Sequence, residues 1–178
     1  ATGGVLLLPN HITWVDAVLL QLATPRTIRF VILEGIHRIG WLNPILHLAR
    51  AIPISPRHPK DAIEAAATAL KQGEVVCVFP EGELTRTGTL LRLRRGFEVI
   101  ARRGGAPVVP VWLDDLWGSI FSFERGGYFF KWPKRIPFRV AISFGQPAPA
   151  EEAGPALLRE RLLLLGVEWY QRRPVLRW

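Results

Sequence analysis

The sequence contains no methionine and a single cysteine, Cys77. One cysteine excludes an internal disulfide and any metal site built from several cysteines, and it is consistent with a reducing compartment. We predict no bound metal, because the histidines other than His11 lack metal-ligand spacing with carboxylates or cysteines. Since the chain begins at Ala1 without an initiator methionine, we expect it to be a processed product or a segment excised from a longer protein.

Long apolar runs are also missing. No stretch of about 18 uninterrupted apolar residues occurs, so the sequence predicts no transmembrane helix. The N-terminal apolar run is interrupted by Asn10, His11 and Asp16 and has no basic leader, which is not the pattern of a signal peptide. Any membrane contact is therefore expected to be peripheral, or to come from other parts of a longer membrane-bound protein.

Acidic residues are fewer than basic ones, 15 against 23, and the formal net charge is +8. An excess of positive charge predicts an anionic partner, either nucleic acid or the anionic surface of a membrane. Seven tryptophans, nine phenylalanines and a hydrophobic fraction of 49% are high for a basic nucleic-acid-binding module. The composition therefore predicts that the anionic partner is a membrane surface and not a nucleic acid.

Apolar runs and amphipathic stretches alternate along the chain. Strands are predicted at Val5–Leu8, Ile28–Leu33, Ala51–Ile54, Val75–Phe79, Val108–Leu113 and Arg139–Phe144. Helices are predicted at Trp14–Leu22, after Pro44, at Asp61–Gln72, Gly96–Arg103 and Pro155–Gln171. This alternation indicates one α/β domain over residues 1–178, with a mostly parallel central sheet flanked by helices. In such sheets, sites form at the carboxyl ends of strands.

A polar pair, Asn10 and His11, follows the first strand, and Asp16 comes five residues after the histidine. An imidazole is the side chain whose ordinary pKa best suits removing a proton from a hydroxyl near neutral pH. A carboxylate on the other ring nitrogen would fix the tautomer and stabilise the imidazolium. The alternative is that Thr13 and Asp16 form a capping box and His11 is an ordinary loop histidine.

A second polar segment, residues 80–88, follows the strand that ends at Phe79. Its two glycines, two threonines and Arg86 are suited to binding an anion through backbone N–H groups and one positive charge. The segment is therefore predicted to bind a phosphate or carboxylate opposite the histidine base. The alternative is a plain glycine-rich turn that carries a surface arginine.

Together, the two segments resemble the glycerolipid acyltransferase family, whose enzymes acylate lysophosphatidate and other lysophospholipids. The family's Asn-His-x4-Asp signature is matched by Asn10, His11 and Asp16, and its Phe-Pro-Glu-Gly signature by residues 79–82, about 70 residues downstream. An intermediate signature that ends in arginine is matched weakly by residues 52–57, and an apolar strand containing proline by residues 109–111. The resemblance spans most of the chain.

The resemblance implies an O-acyltransferase with no bound cofactor. A fatty acyl group would pass from acyl carrier protein or coenzyme A to the free hydroxyl of a lysophospholipid, in phospholipid synthesis or remodelling. His11 would act as the general base and Asp16 would orient it. The implied location is the cytoplasmic face of the membrane. A 1-acylglycerol-3-phosphate acyltransferase that makes phosphatidate, and a catalytically silent lipid-binding domain, are the alternatives.

Binding of the acceptor is expected from Glu81, Gly82 and Arg86, with Arg57 as a further candidate. Many family members have threonine and arginine directly after Glu-Gly, where this chain has Glu83 and Leu84. Segments 82–88, 116–123 and 131–137 look closer to the acyltransferase part of fused bacterial proteins. Those proteins join it to an acyl-carrier-protein synthetase and acylate 2-acylglycerophosphoethanolamine.

Two basic regions remain. The stretch from Trp117 to Arg139 mixes aromatic and basic residues, which is typical of a lipid interface, unless most of the rings lie in the core. Arg92, Arg94 and Arg95 form a second cluster, suited to an acidic acyl carrier protein or to lipid headgroups.

Overall fold

The computed structural model describes residues 3–37, 46–47, 49–126 and 139–172. The helix predicted after Pro44, apart from residues 46–47, and residues 127–138 of the aromatic and basic stretch lie outside the described residues.

Eleven helices and strands organise the described residues. The strands are β1 (Val5–Pro9), β2 (Ile28–Leu33), β3 (Ile52–Ile54), β4 (Val75–Cys77), β5 (Val108–Asp114) and β6 (Ala141–Phe144). The helices are α1 (Asp16–Leu22), α2 (Glu34–His37), α3 (Pro59–Lys71), α4 (Gly96–Gly104) and α5 (Pro155–Arg172). A short 3₁₀ turn covers Glu124–Gly126.

The strands form a six-stranded sheet in the order β3-β2-β4-β1-β5-β6. Adjacent strands in the sheet are parallel, except β5 and β6, which are antiparallel. The prediction of a mostly parallel sheet flanked by helices is confirmed. Because β1 lies between β4 and β5, the loops that follow β1 and β4 leave the same edge of the sheet side by side.

Successive residues of β1 point to opposite faces of the sheet, as a strand's geometry requires. Leu6 and Leu8 pack into a core with residues of α3, α4 and α5. Leu7 packs into a second core with Leu20 of α1 and Phe30 of β2. The sheet is therefore covered on both faces, which explains why its central strands are almost continuously apolar.

Two predicted helix starts are corrected. Helix α1 begins at Asp16, not at Trp14, because the Asp16 carboxylate accepts the backbone N–H groups of Ile12 and Thr13 and holds the preceding residues in a turn. Helix α3 begins at Pro59, two residues before the predicted cap Asp61. Proline is well suited to the first helical position, since its N–H would be unpaired there and its φ is already helical.

Candidate active site

Asp16 is fully buried at the start of α1, where its carboxylate collects four hydrogen bonds. Oδ2 accepts from Ile12 N at 2.7 Å, from Thr13 N at 2.9 Å and from His11 Nδ1 at 2.9 Å. Oδ1 accepts from the Thr13 hydroxyl. A buried carboxylate that receives this many donors is held in one orientation, so its contact with His11 is fixed by the backbone around it.

His11 lies two residues after β1, and its ring lies against the ring of Phe79, with centroids 3.9 Å apart and planes 23° from parallel. Because the Asp16 carboxylate acts as an acceptor, His11 Nδ1 is the donor in their contact, and in a neutral ring the lone pair then lies on Nε2. The His11 side chain is 20% exposed, whereas Asp16 is sealed from solvent. An imidazole in this setting is suited to accept a proton at Nε2.

The Asp16 carboxylate bonds both Thr13 N and the imidazole. The predicted capping box does not form, because the residue before α1 is Val15, which makes no side-chain cap, and the general-base role of His11 stays a prediction. The same side chain therefore fixes the start of α1 and the orientation of His11.

Glu81, on the loop after β4, bonds the backbone of His11. Its side chain is buried, with 2% exposed. Oε1 accepts the backbone N–H of His11 at 2.7 Å, and Oε2 accepts the backbone N–H of Leu91 at 2.6 Å. Burial raises the pKa of the Glu81 carboxyl, while these two backbone donors act to lower it. Both oxygens are thus engaged by main-chain donors, which joins the loop after β4 to the histidine.

Asn10 and Thr85 were predicted only as parts of the two polar segments, and the structure gives each a specific role in holding His11. The Asn10 side chain pairs with both backbone groups of Leu113 in β5, donating to its oxygen at 3.0 Å and accepting from its nitrogen at 2.7 Å. The backbone N–H of Thr85 donates to His11 O at 3.0 Å. His11 is therefore held through its own backbone and its sequence neighbour by both strands beside β1.

The buried Thr85 hydroxyl organises the loop after β4. It donates to Thr89 O at 2.8 Å and accepts from Gly88 N at 3.1 Å and Thr87 N at 3.3 Å. These two N–H groups point into the loop, so the predicted wrapping of an anion by backbone N–H groups cannot use them.

A pocket opens beside this loop. It is lined by Asn10, His11, Ile12, Glu81, Thr85, Gly88, Thr89, Leu90 and Trp112.

The predicted acceptor-binding residues differ in their placement. Gly82 is exposed with φ +74°, a conformation that favours glycine, and the Nε of Arg94 would lie 2.6 Å from a Cβ at this position. Arg86 is exposed, and its guanidinium carbon lies 5.4 Å from the centre of the Phe123 ring. Arg57 is exposed in the turn after β3, beyond β2 and β4 from His11 in the sheet.

In the basic cluster at the end of this loop, Arg94 and Arg95 have different partners among the described residues. Arg95 bonds Glu98 at 3.0 Å, whereas Arg94 donates to the Glu81 carbonyl oxygen at 3.3 Å. Of the aromatic and basic stretch that was predicted to meet lipid, Trp117 is half-buried and its indole packs against Gly88. Cys77 is fully buried, and burial raises the pKa of its thiol, which makes it a poor nucleophile.

The sequence of this chain matches the model of the acyltransferase family over residues 1–114. The chain belongs to the acyltransferase family. It is 32% identical over 112 residues to the 1-acyl-sn-glycerol-3-phosphate acyltransferase of Bacillus subtilis, a match that covers 62% of the chain and 55% of that protein. A protein of the same name from Pseudomonas aeruginosa is 30% identical over 129 residues, covering 68% of the chain and 44% of its relative.

The fold of this acyltransferase also resembles a solved structure, the 1-acyl-sn-glycerophosphate (LPA) acyltransferase PlsC from Thermotoga maritima. The TM-score is 0.75 at 20% identity, and the match covers the whole chain and 69% of that structure. The acyltransferase spans about half the length, or less, of the curated relatives that it matches. The predicted resemblance to the acyltransferase family is thereby confirmed, while the closer resemblance to fused synthetase proteins stays a prediction.

Changing Glu81 to Gln is expected to lower kcat about 10- to 100-fold with little change in KM for the acceptor, because an amide can accept only one of the two backbone N–H groups and His11 shifts. The backbone N–H group that loses its acceptor is buried, so the variant should also have a free energy of unfolding about 1–3 kcal/mol lower. Steady-state kinetics and urea unfolding check both, with the exposed neighbour Glu83→Gln as control. A raised KM at unchanged kcat would instead place Glu81 against the acceptor.

Proposed function

We propose that this chain is a glycerolipid acyltransferase, which forms an ester between a fatty acyl group and a free hydroxyl of a lysophospholipid. One observation carries the proposal: His11 is bonded through Nδ1 to a buried carboxylate at the carboxyl edge of the sheet, on a chain of the acyltransferase family. This pair provides a general base without an enzyme-bound acyl intermediate.

In the proposed reaction, Nε2 of His11 takes the proton of the acceptor hydroxyl while the oxygen attacks the thioester carbonyl carbon. The tetrahedral intermediate collapses with cleavage of the carbon–sulfur bond, and the departing thiolate takes the proton from the imidazolium. Asp16 stabilises the imidazolium between these two transfers. The balance is one ester formed and one thiol released from one hydroxyl and one thioester.

The names of the relatives favour 1-acylglycerol-3-phosphate as the acceptor. The phosphate would then meet the arginines on the loop after β4, Arg86 and Arg94, both of which lie at the surface. We propose acyl carrier protein or coenzyme A as the donor and no bound cofactor. The proposed location is the cytoplasmic face of a membrane, either peripherally or within a longer membrane-bound protein.

The test is acyl transfer from radiolabelled acyl carrier protein and acyl-coenzyme A to acceptors in detergent micelles. The panel contains 1-acylglycerol-3-phosphate, 2-acylglycerophosphoethanolamine and monoacylglycerol. We expect the fastest ester formation with 1-acylglycerol-3-phosphate and the slowest with monoacylglycerol, which has no phosphate. Binding of lysolipid without any ester formation would support a catalytically silent lipid-binding domain.

A further inference from the structure

Helix α1 has no polar residue available to its outer face. Asp16 is buried and bonded to His11, and Gln21 is used within the protein. The Gln21 side chain donates to Arg26 O at 3.1 Å and accepts from Ile28 N at 2.9 Å. The other residues of the helix are alanine, valine or leucine. A surface helix normally carries charged or polar residues on the face away from the core, and α1 carries none.

Three large apolar side chains instead form the outer face of α1. Trp14, just before the helix, is 47% exposed, Val18 is 58% exposed and Leu22 is 79% exposed. Because residues four apart lie on the same side of a helix, Val18 and Leu22 share one stripe, which runs away from the active-site end. We call Trp14, Val18 and Leu22 the outer stripe of α1.

A positive charge adjoins the active-site end of this stripe. Thr13, next to Trp14, forms an antiparallel bridge with Ser122, and the adjacent Phe123 ring lies under the guanidinium of Arg86. Within the described part of the chain, Arg86 forms no ion pair with a carboxylate, in contrast to Arg95 and Arg103. The surface next to Thr13 therefore combines the exposed apolar side chain of Trp14 with Arg86, which has no carboxylate partner among the described residues.

We propose that the outer stripe of α1 docks on the surface of a bilayer that contains anionic lipid. An apolar helix face at headgroup depth, with cations directed to anionic headgroups, is how interfacial helices bind membranes. The net charge of +8 complements such a surface. The proposal rests on the proposed function, because a lysophospholipid acceptor resides in the membrane. With α1 on the bilayer, the loop that leads from His11 through Trp14 into the helix lies close to the lipid from which the acceptor comes.

Helix α5 supplies a matched control on the other face of the sheet. Leu164 and Val167 of α5 are about half exposed, close to the exposure of Val18. The core residues of α5 pack with α3 and α4, whereas Leu20 of α1 packs on the opposite face. Equal numbers of aspartates can therefore be placed at exposed apolar positions on two helices that lie on opposite faces of the sheet.

The experiment compares the native chain, Val18→Asp/Leu22→Asp and Leu164→Asp/Val167→Asp in co-sedimentation with vesicles. The vesicles contain phosphatidylcholine, with or without a third of phosphatidylglycerol. We expect the α1 variant to bind the anionic vesicles at least about tenfold more weakly than the native chain, and the α5 variant to bind like the native chain. Circular dichroism and thermal unfolding establish that both variants are folded.

The activity readout separates this proposal from the proposed function. Turnover of a short-chain acceptor, dissolved as monomers, should be equal in the native chain and the α1 variant, whereas turnover of a long-chain acceptor in vesicles should fall only in the α1 variant. Failure of the native chain to acylate even the monomeric acceptor overturns the proposed function, while vesicle binding, measured without substrate, still decides the docking surface.

Three results would overturn the docking proposal. One is binding of the α1 variant as tight as that of the native chain. Another is loss of binding in the α5 variant alone. The third is a native chain that does not bind vesicles but self-associates through α1. Light scattering would then show a dimer of the native chain and a monomer of Val18→Asp/Leu22→Asp. That result would assign the stripe to a second copy of the chain.

Discussion

Replacing Asp16 by Asn is expected to slow acyl transfer about 10²- to 10⁴-fold, the upper end being the scale seen when the carboxylate of a Ser-His-Asp triad is made neutral. The loss arises because the imidazolium formed during proton transfer no longer has a negative charge at Nδ1. An asparagine oxygen can still accept from Ile12 N and Thr13 N, and its NH₂ group can donate to the Thr13 hydroxyl. The arrangement at the start of α1 should therefore persist.

The stability of this variant is the accompanying measurement. A neutral amide in place of the buried Asp16 carboxylate weakens its hydrogen bonds, which is expected to lower the free energy of unfolding by about 1–3 kcal/mol. That loss is too small to abolish the fold of an ordinary domain. The control is Asp61→Asn, which neutralises an exposed carboxylate in the first turn of α3. Near-native turnover of Asp16→Asn would show that Asp16 serves the fold of the turn and not the chemistry.

Replacing His11 by Ala is expected to reduce kcat/KM about 10²- to 10⁴-fold, the usual contribution of a positioned general base. The His11 backbone contacts with Glu81 and Thr85 do not involve the ring and should remain. We therefore expect the unfolding free energy to change far less than the rate.

Two controls bracket the His11 result. His58→Ala removes an exposed imidazole at the N-terminal end of α3 and should leave the rate unchanged. Added imidazole should partly restore turnover to His11→Ala and not to Asp16→Asn, because only the first variant lacks the ring. Unchanged kinetics in His11→Ala would move the general base elsewhere in the site.

The sequence was sufficient for the pairing of His11 with Asp16, because both partners lie within one turn at the end of a recognisable strand. It was also sufficient for the parallel sheet, because long apolar strands alternate with helices. It could not assign the partner of Glu81, because that contact depends on β1 and β4 being neighbours in the sheet. The contact of Asn10 with Leu113 likewise spans 103 residues and depends on the order of the strands.

Local hydrogen bonds explain the remaining differences. Thr13 looked like the residue that starts α1, but its N–H and hydroxyl both bond Asp16, and the helix begins two residues later than predicted. The Thr85 hydroxyl draws Thr87 N and Gly88 N inward, so these two N–H groups are not available to an anion. Neither side chain's choice of partner follows from its residue type.

The most direct test of the His11–Asp16 pair is to compare acyl transfer by the native chain, His11→Ala, Asp16→Asn and the double variant under identical conditions. If the two side chains act as one unit, the double variant should be no slower than His11→Ala by more than a few-fold, because Asp16 acts only through the ring. Losses that multiply in the double variant would contradict this account, since Asp16 would then contribute to the reaction independently of His11.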